Sequence, residues 1–118
     1  MKLRTFSLAL LVLAFGLVLA PVATSKPAAP TATTVLVTAK EFKFTVSKRS
    51  VAKGAVVFKV TNKGALPHDF KIAGKKTPML KPGKSYTLRA TLTKGAKVYI
   101  CTVSGHAAAG MKGSLRVT

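Results

Sequence analysis

The sequence predicts an all-β domain, a sandwich of about seven short strands. Three observations carry that expectation. Beyond residue 34 the chain is a series of short runs rich in Val, Phe, Thr, Ile and Tyr; Gly, Pro, Asn and Lys separate them at close, fairly regular spacing; and no convincing helical period appears. At 118 residues the chain has room for one domain with one modest core.

The N-terminus reads differently. Met1-Lys2-Leu3-Arg4 precedes an apolar run from Leu8 to Ala20, the order of a basic n-region and an h-region in a secretory signal. Residues 1–25 are therefore expected to be a leader, cut within Ala20 to Ser25. A retained membrane anchor is the alternative, because Thr5 to Ala23 approaches the roughly 20 residues that span a bilayer. Residues 26–34 continue a Pro-, Ala- and Thr-rich stretch that has too little apolar surface to order itself, and they read as a flexible tether. The domain is expected over 35–118.

Within it, candidate strands fall at Thr34–Ala39, Phe42–Ser47, Ala55–Thr61, Asp69–Ile72, Ser85–Leu92, Ala96–Cys101 and Ser114–Val117. Alternation is clearest in Phe42-Lys43-Phe44-Thr45-Val46 and Phe58-Lys59-Val60. Phe and Val are expected between two sheets there, with Lys and Thr in water. Lys53-Gly54, Asn62-Lys63-Gly64, Lys81-Pro82-Gly83-Lys84 and Lys94-Gly95 supply the reversals.

Lys and Arg number 20 against two acids, Glu41 and Asp69, for a formal charge of +18. Only Lys2 and Arg4 of the basic residues precede Lys26, so the domain carries a strong positive field. Such a field favours anionic partners or an anionic membrane surface and weakens with salt. Enzyme classes lose their usual handles: there is no P-loop, dinucleotide fingerprint, paired carboxylate or haem-attachment sequence.

Cys101 is the single cysteine. Exported chains usually hold cysteines in disulfide pairs, and one cysteine cannot staple its own chain. It is a buried free thiol, an intermolecular bridge, a nucleophile or a metal ligand. The surrounding run Cys101-Thr102-Val103-Ser104-Gly105-His106-Ala107-Ala108-Ala109-Gly110-Met111 offers a thiolate, an imidazole and a thioether from one loop of small residues. These donors suit copper in both oxidation states. A blue-copper site also needs a second imidazole, and the only other histidine is His68, in Leu66-Pro67-His68-Asp69-Phe70. Met79, after Thr77-Pro78, reads as loop or core filler.

The pattern Cys-x-x-x-x-His-x-x-x-x-Met near the C-terminus, with an upstream His before a short strand, resembles the cupredoxins. The loop spacing is nearest that of rusticyanin and auracyanin, and longer between Cys and His than in plastocyanin. Phe42-Lys43-Phe44, Val60 to Asn62 and Lys81-Pro82-Gly83 before Ser85-Tyr86-Thr87-Leu88 extend the resemblance over Val35 to Thr118. It implies a Greek-key β-sandwich with one copper ion at one end. His68, His106 and Cys101 would be ligands and Met111 the axial one, the edge of His106 emerging through an apolar patch. One departure stands out: cupredoxins commonly carry Asn after the first histidine, and here it is Asp69. Its carboxylate either accepts hydrogen bonds, for instance from Thr102, or points outward to a lysine such as Lys71.

The function implied is electron transfer by Cu(I)/Cu(II) cycling in an exported, periplasmic or extracellular monomer, not an enzyme. Redox proteins with acidic surfaces are the expected partners, steered by lysines such as Lys63, Lys71 and Lys112. A copper carrier or resistance protein without redox cycling is the alternative. Nucleic acid is not expected as a partner, since no cluster of aromatics lies on a basic strand face.

Overall fold

A computed structural model describes residues 9, 11–25 and 31–118. Of the expected leader, residues 11–25 are exposed and belong to no helix or strand. Residues 1–8 and 10 of the leader, and residues 26–30 of the tether, lie outside the described residues. No helix among the described residues is long and apolar enough to cross a membrane. The first described strand starts slightly before the expected domain start. Thr33 and Thr34 already pair in parallel with Val56 and Val57, as β-branched residues on a pleated surface do.

Among the described residues, nine strands form two mixed sheets. In the first, β1 (Thr33–Lys40) lies between β2 (Lys43–Val46) and β4 (Gly54–Asn62), and β7 (Ser85–Leu92) closes the other edge. In the second the order is β3 (Ser50–Val51), β9 (Lys112–Val117), β8 (Gly95–Ile100), β5 (Lys71–Ile72) and β6 (Lys75–Lys76). β1 runs parallel to β4 and β3 parallel to β9, and the remaining pairs are antiparallel.

Seven of these strands match the expected ones to within two residues at most ends. The strands not anticipated, β3 and β6, have two residues each, too short to show alternation, and both side chains of β6 are exposed lysines. One short helix, α1 (His106–Ala109), was likewise not anticipated. Four residues are little more than one turn, so no period can register.

The two sheets enclose Val35, Val37, Val56, Phe58, Val60, Leu88, Ala90 and Leu92 from the first and Ile72, Tyr99, Leu115 and Val117 from the second. The alternation in β7, with Leu88, Ala90 and Leu92 inward, shows why a period of two specifies this face. Phe44 and Val46 pack on the core as expected, but Phe42 does not. It is 41% exposed and its ring meets that of His106 edge-on at 5.2 Å between centroids. Of the two readings of Met79, loop holds and core filler does not: it lies outside every strand and is exposed.

Phe70 joins core and site. Its ring packs edge-on against Phe44 at 5.3 Å and tilted against Phe58 at 5.3 Å and Tyr99 at 5.4 Å between centroids. Its backbone N–H donates to the Thr77 hydroxyl at 3.0 Å. Phe70 lies two residues after His68 and Tyr99 two before Cys101, so one aromatic cluster fixes both approaches to the site. Phe70→Ala is expected to cost the metal-free protein about 3–5 kcal/mol. Equilibrium urea unfolding reads this, and an unchanged midpoint would contradict the packing described.

Candidate metal centre

The end of the sandwich beyond β8 gathers the donors. β8 and β9 are antiparallel neighbours with Ile100 opposite Lys112. One more ladder bond, from the Cys101 N–H to the Met111 carbonyl at 3.0 Å, sets these two residues face to face. The loop between them must then turn back within a few residues. It does so through α1, entered at Gly105 with φ 81° and left at Gly110 with φ 128°, values that glycine alone adopts freely. At Gly110 a side chain is also excluded by space, since a Cβ there would stand 2.8 Å from the Phe42 carbonyl oxygen.

His68 comes from the long loop after β4, and its backbone exchanges two hydrogen bonds with Leu80, at 3.0 and 2.8 Å. Asn62, read from the sequence only as a turn former, organises this loop. Fully buried, it donates from Nδ2 to the Leu66 and Leu80 carbonyls, each at 2.8 Å, and its Oδ1 accepts the Gly64 N–H at 2.8 Å.

The sequence-predicted residues meet. His68 Nδ1 and His106 Nδ1 are 3.1 Å apart, and Cys101 Sγ lies 4.0 Å from the first and 3.7 Å from the second. All three donor atoms fall within 4.8 Å of one another. N and S atoms bound at about 2.0–2.3 Å to one ion, at angles of about 100–120°, stand roughly 3–4 Å apart, so the spacing fits a shared metal. Met111 is fully buried in one cluster with Cys101 and Ala39. His68 is inaccessible to solvent, whereas His106 is 9% exposed. Two imidazoles, a thiol and a neighbouring thioether are the donor set that suits copper.

Burial pushes the Cys101 thiol above its ordinary range, and the nearby Asp69 charge adds to this while the backbone N–H groups of Asp69 and Val103 oppose it. Asp69 is itself buried and turned to the ligand loops. Its Oδ1 accepts the Thr102 N–H at 2.6 Å and its Oδ2 accepts the Thr102 hydroxyl. The outward alternative is thereby corrected, and the lysine that approaches Asp69 is Lys76, at 3.9 Å, rather than Lys71.

Glu41 was not singled out as part of the site. It sits in the turn between β1 and β2, and its Oε1 lies 2.9 Å from His68 Nε2 while accepting the Leu66 N–H at 2.7 Å. Its one legible mark is its charge, a carboxylate between Lys40 and Lys43 in a strongly basic chain. The Leu66 N–H is the chief cause holding the carboxyl down from an ordinary 4.5 to about 2, with the His68 bond a lesser aid and partial burial opposing. A depressed folded-state value means stability present above the unfolded value and lost as pH falls through the folded one. The metal-free protein is thus expected to lose stability between about pH 4.5 and about 2, and Glu41→Gln to lose less over that window. Urea midpoints measured against pH for both proteins decide this; parallel profiles would contradict it.

No family model matches the chain, and no curated protein matches it in sequence. Solved structures do share its fold. Dithionite-reduced auracyanin from Roseiflexus castenholzii superposes with a TM-score of 0.63 at 23% identity, over 74% of this chain and 98% of that one. Auracyanin A of Chloroflexus aurantiacus, described as a "blue" copper protein, gives 0.63 at 19%, over 75% and 100%. An azurin from Methylomonas sp. strain J gives 0.60 at 16%, over 75% and 99%. The architecture is the cupredoxin β-sandwich that the sequence resemblance implied.

Proposed function

We propose that this chain is a blue copper protein that carries single electrons, with His68, Cys101 and His106 as ligands and Met111 as the weaker axial donor. The observation that carries the reading is the convergence of two imidazole nitrogens and the only thiol at the end of a sandwich shared with blue copper proteins. When bound, copper supplies a one-electron Cu(I)/Cu(II) couple.

The chain's own residues account for the rest. The Cys101–Met111 ladder bond, the Asn62 network and the Thr102–Asp69 bonds fix the ligand backbones from three directions, so the donors are held in place before any metal enters. Glu41 and Asp69 are both engaged as acceptors, which leaves neither as a free general base and favours carriage over catalysis. His106 is the ligand nearest solvent, beside the half-exposed Phe42, and Leu66 is also exposed. This edge is suited to brief apolar docking, while the exposed Lys63, Lys71 and Lys112 steer a partner with an acidic surface. The leader-like N-terminus supports export to the outer side of a membrane, with 1–25 removed or retained as an anchor and 35–118 as the working domain.

Protein-film voltammetry tests electron carriage. A reversible one-electron wave in the copper-loaded protein is expected; copper that passes to a chelator but gives no reversible wave would make the chain a metal carrier instead. Association with an acidic redox partner is expected to slow steeply as ionic strength rises, and stopped-flow rates independent of salt would show that the positive field plays no part in docking.

A further inference from the structure

We propose that Glu41 is a positioning residue of the metal centre, whose carboxylate holds the His68 proton on Nε2 and so presents the bare Nδ1 to Cys101 and His106. The inference rests on reading the site as a metal centre and names what sets its geometry before metal arrives.

An ionised carboxylate only accepts hydrogen bonds. The 2.9 Å contact between Glu41 Oε1 and His68 Nε2 therefore requires the proton on Nε2. A neutral imidazole has one N–H, so Nδ1 then carries a lone pair, and Nδ1 is the atom that faces His106 Nδ1 at 3.1 Å and Cys101 Sγ at 4.0 Å. The other tautomer would set two lone pairs against each other at Nε2 and Oε1 and point a proton at the metal position. The chain's second carboxylate, Asp69, is occupied by Thr102 and does not take this role.

Two further features bind Glu41 to this task. The same Oε1 accepts the Leu66 N–H, which ties the carboxylate to the loop that delivers His68 two residues later. Gly64 leaves room for it: a Cβ at position 64 would collide with the Glu41 carboxylate, its Oε2 being 2.7 Å away. A carboxylate bonded to a ligating imidazole makes that ring a stronger donor and favours the more positive oxidation state of the metal. Glu41 thus acts on the metal through His68 without touching it.

Three variants separate this from a structural role. Glu41→Gln keeps an oxygen that can accept from Nε2–H but removes the charge; Glu41→Ala removes both. Gly64→Ala leaves Glu41 in the sequence and displaces its flexible end. Nitrogen-15 NMR of the imidazoles in the metal-free protein, at mildly alkaline pH, reads the tautomer directly. A single Nε2–H tautomer of His68 is expected in the wild type, retained in Glu41→Gln and mixed in Glu41→Ala and Gly64→Ala. With copper bound, the reduction potential is expected to rise in Glu41→Gln, and affinity to fall about 10–100-fold in Glu41→Ala.

A folded Glu41→Ala protein that keeps the single Nε2–H tautomer overturns the proposal, as do equal potentials in wild type and Glu41→Gln. If Glu41→Ala does not fold, Gly64→Ala with the wild-type tautomer overturns it equally. A chain that binds no copper, yet shows the expected tautomer series, sinks the proposed function and upholds the hold of Glu41 on His68.

Discussion

Cys101→Ser is expected to abolish the intense visible absorption of the copper-loaded protein while the sandwich stays folded. The absorption requires a thiolate sulfur as donor to copper, and a serine hydroxyl offers no equivalent. Affinity should fall by more than the roughly 10–100-fold typical of losing a supporting hydrogen bond, because a direct ligand is removed. The fold survives because Cys101 packs with Ala39 and Met111, a cluster separate from the main core of the two sheets. The serine hydroxyl also finds the backbone N–H groups of Asp69 and Val103 near the place of the sulfur. Burial of a hydroxyl there is expected to cost the metal-free protein about 1–3 kcal/mol at most. Absorption spectra of the loaded variant and urea unfolding of its metal-free form check the two halves. A variant that keeps the visible band would remove Cys101 from the site.

Asp69 should show the second large effect, and two substitutions divide it. Asp69→Ala leaves the Thr102 N–H without its buried acceptor and cuts the direct tie between the His68 loop and the Cys101 loop. Hydrogen bonds to a charged group contribute about 1.5–3 kcal/mol, so a loss of about 3 kcal/mol is expected in the metal-free protein. Asp69→Asn keeps an oxygen for the Thr102 N–H and an amide for the hydroxyl, so it should fold nearly as well. What it removes is a negative charge beside Cys101, which favours Cu(II) over Cu(I). Its reduction potential should therefore exceed that of the wild type. Lys76 at 3.9 Å weakens this charge but is half-exposed, so solvent screens it. Potentials that agree within error, measured at one pH and salt, would show that Asp69 ties the loops without tuning the metal.

The donors His68, Cys101, His106 and Met111 were legible because they are rare residue types in this chain and three of them share one short stretch, Cys101 to Met111, that contains Gly105 and Gly110. The long strands were legible because Phe58-Lys59-Val60 and Leu88 to Leu92 alternate visibly. Glu41 was not, since it is 27 residues from His68 in sequence and reaches it only because the β1–β2 turn folds over the loop after β4. Phe42 shows the same limit: alternation assigned it to the core, but it lies one residue outside β2, where packing against His106 replaces the pleat. Asn62 read as a turn because its side chain does bond to Gly64, while its bonds to Leu66 and Leu80 depend on distant chain. The strands β3 and β6 and the helix α1 are too short for periodicity to reveal.

The absorption spectrum of the purified protein during titration with Cu(II), followed by reduction, tests the metal centre most directly. An intense visible band that saturates at about one ion per chain and bleaches on reduction is the predicted result, as two imidazoles and one thiolate in a closed site require. Only the faint absorption of copper held by nitrogen and oxygen, growing without saturation, would contradict it.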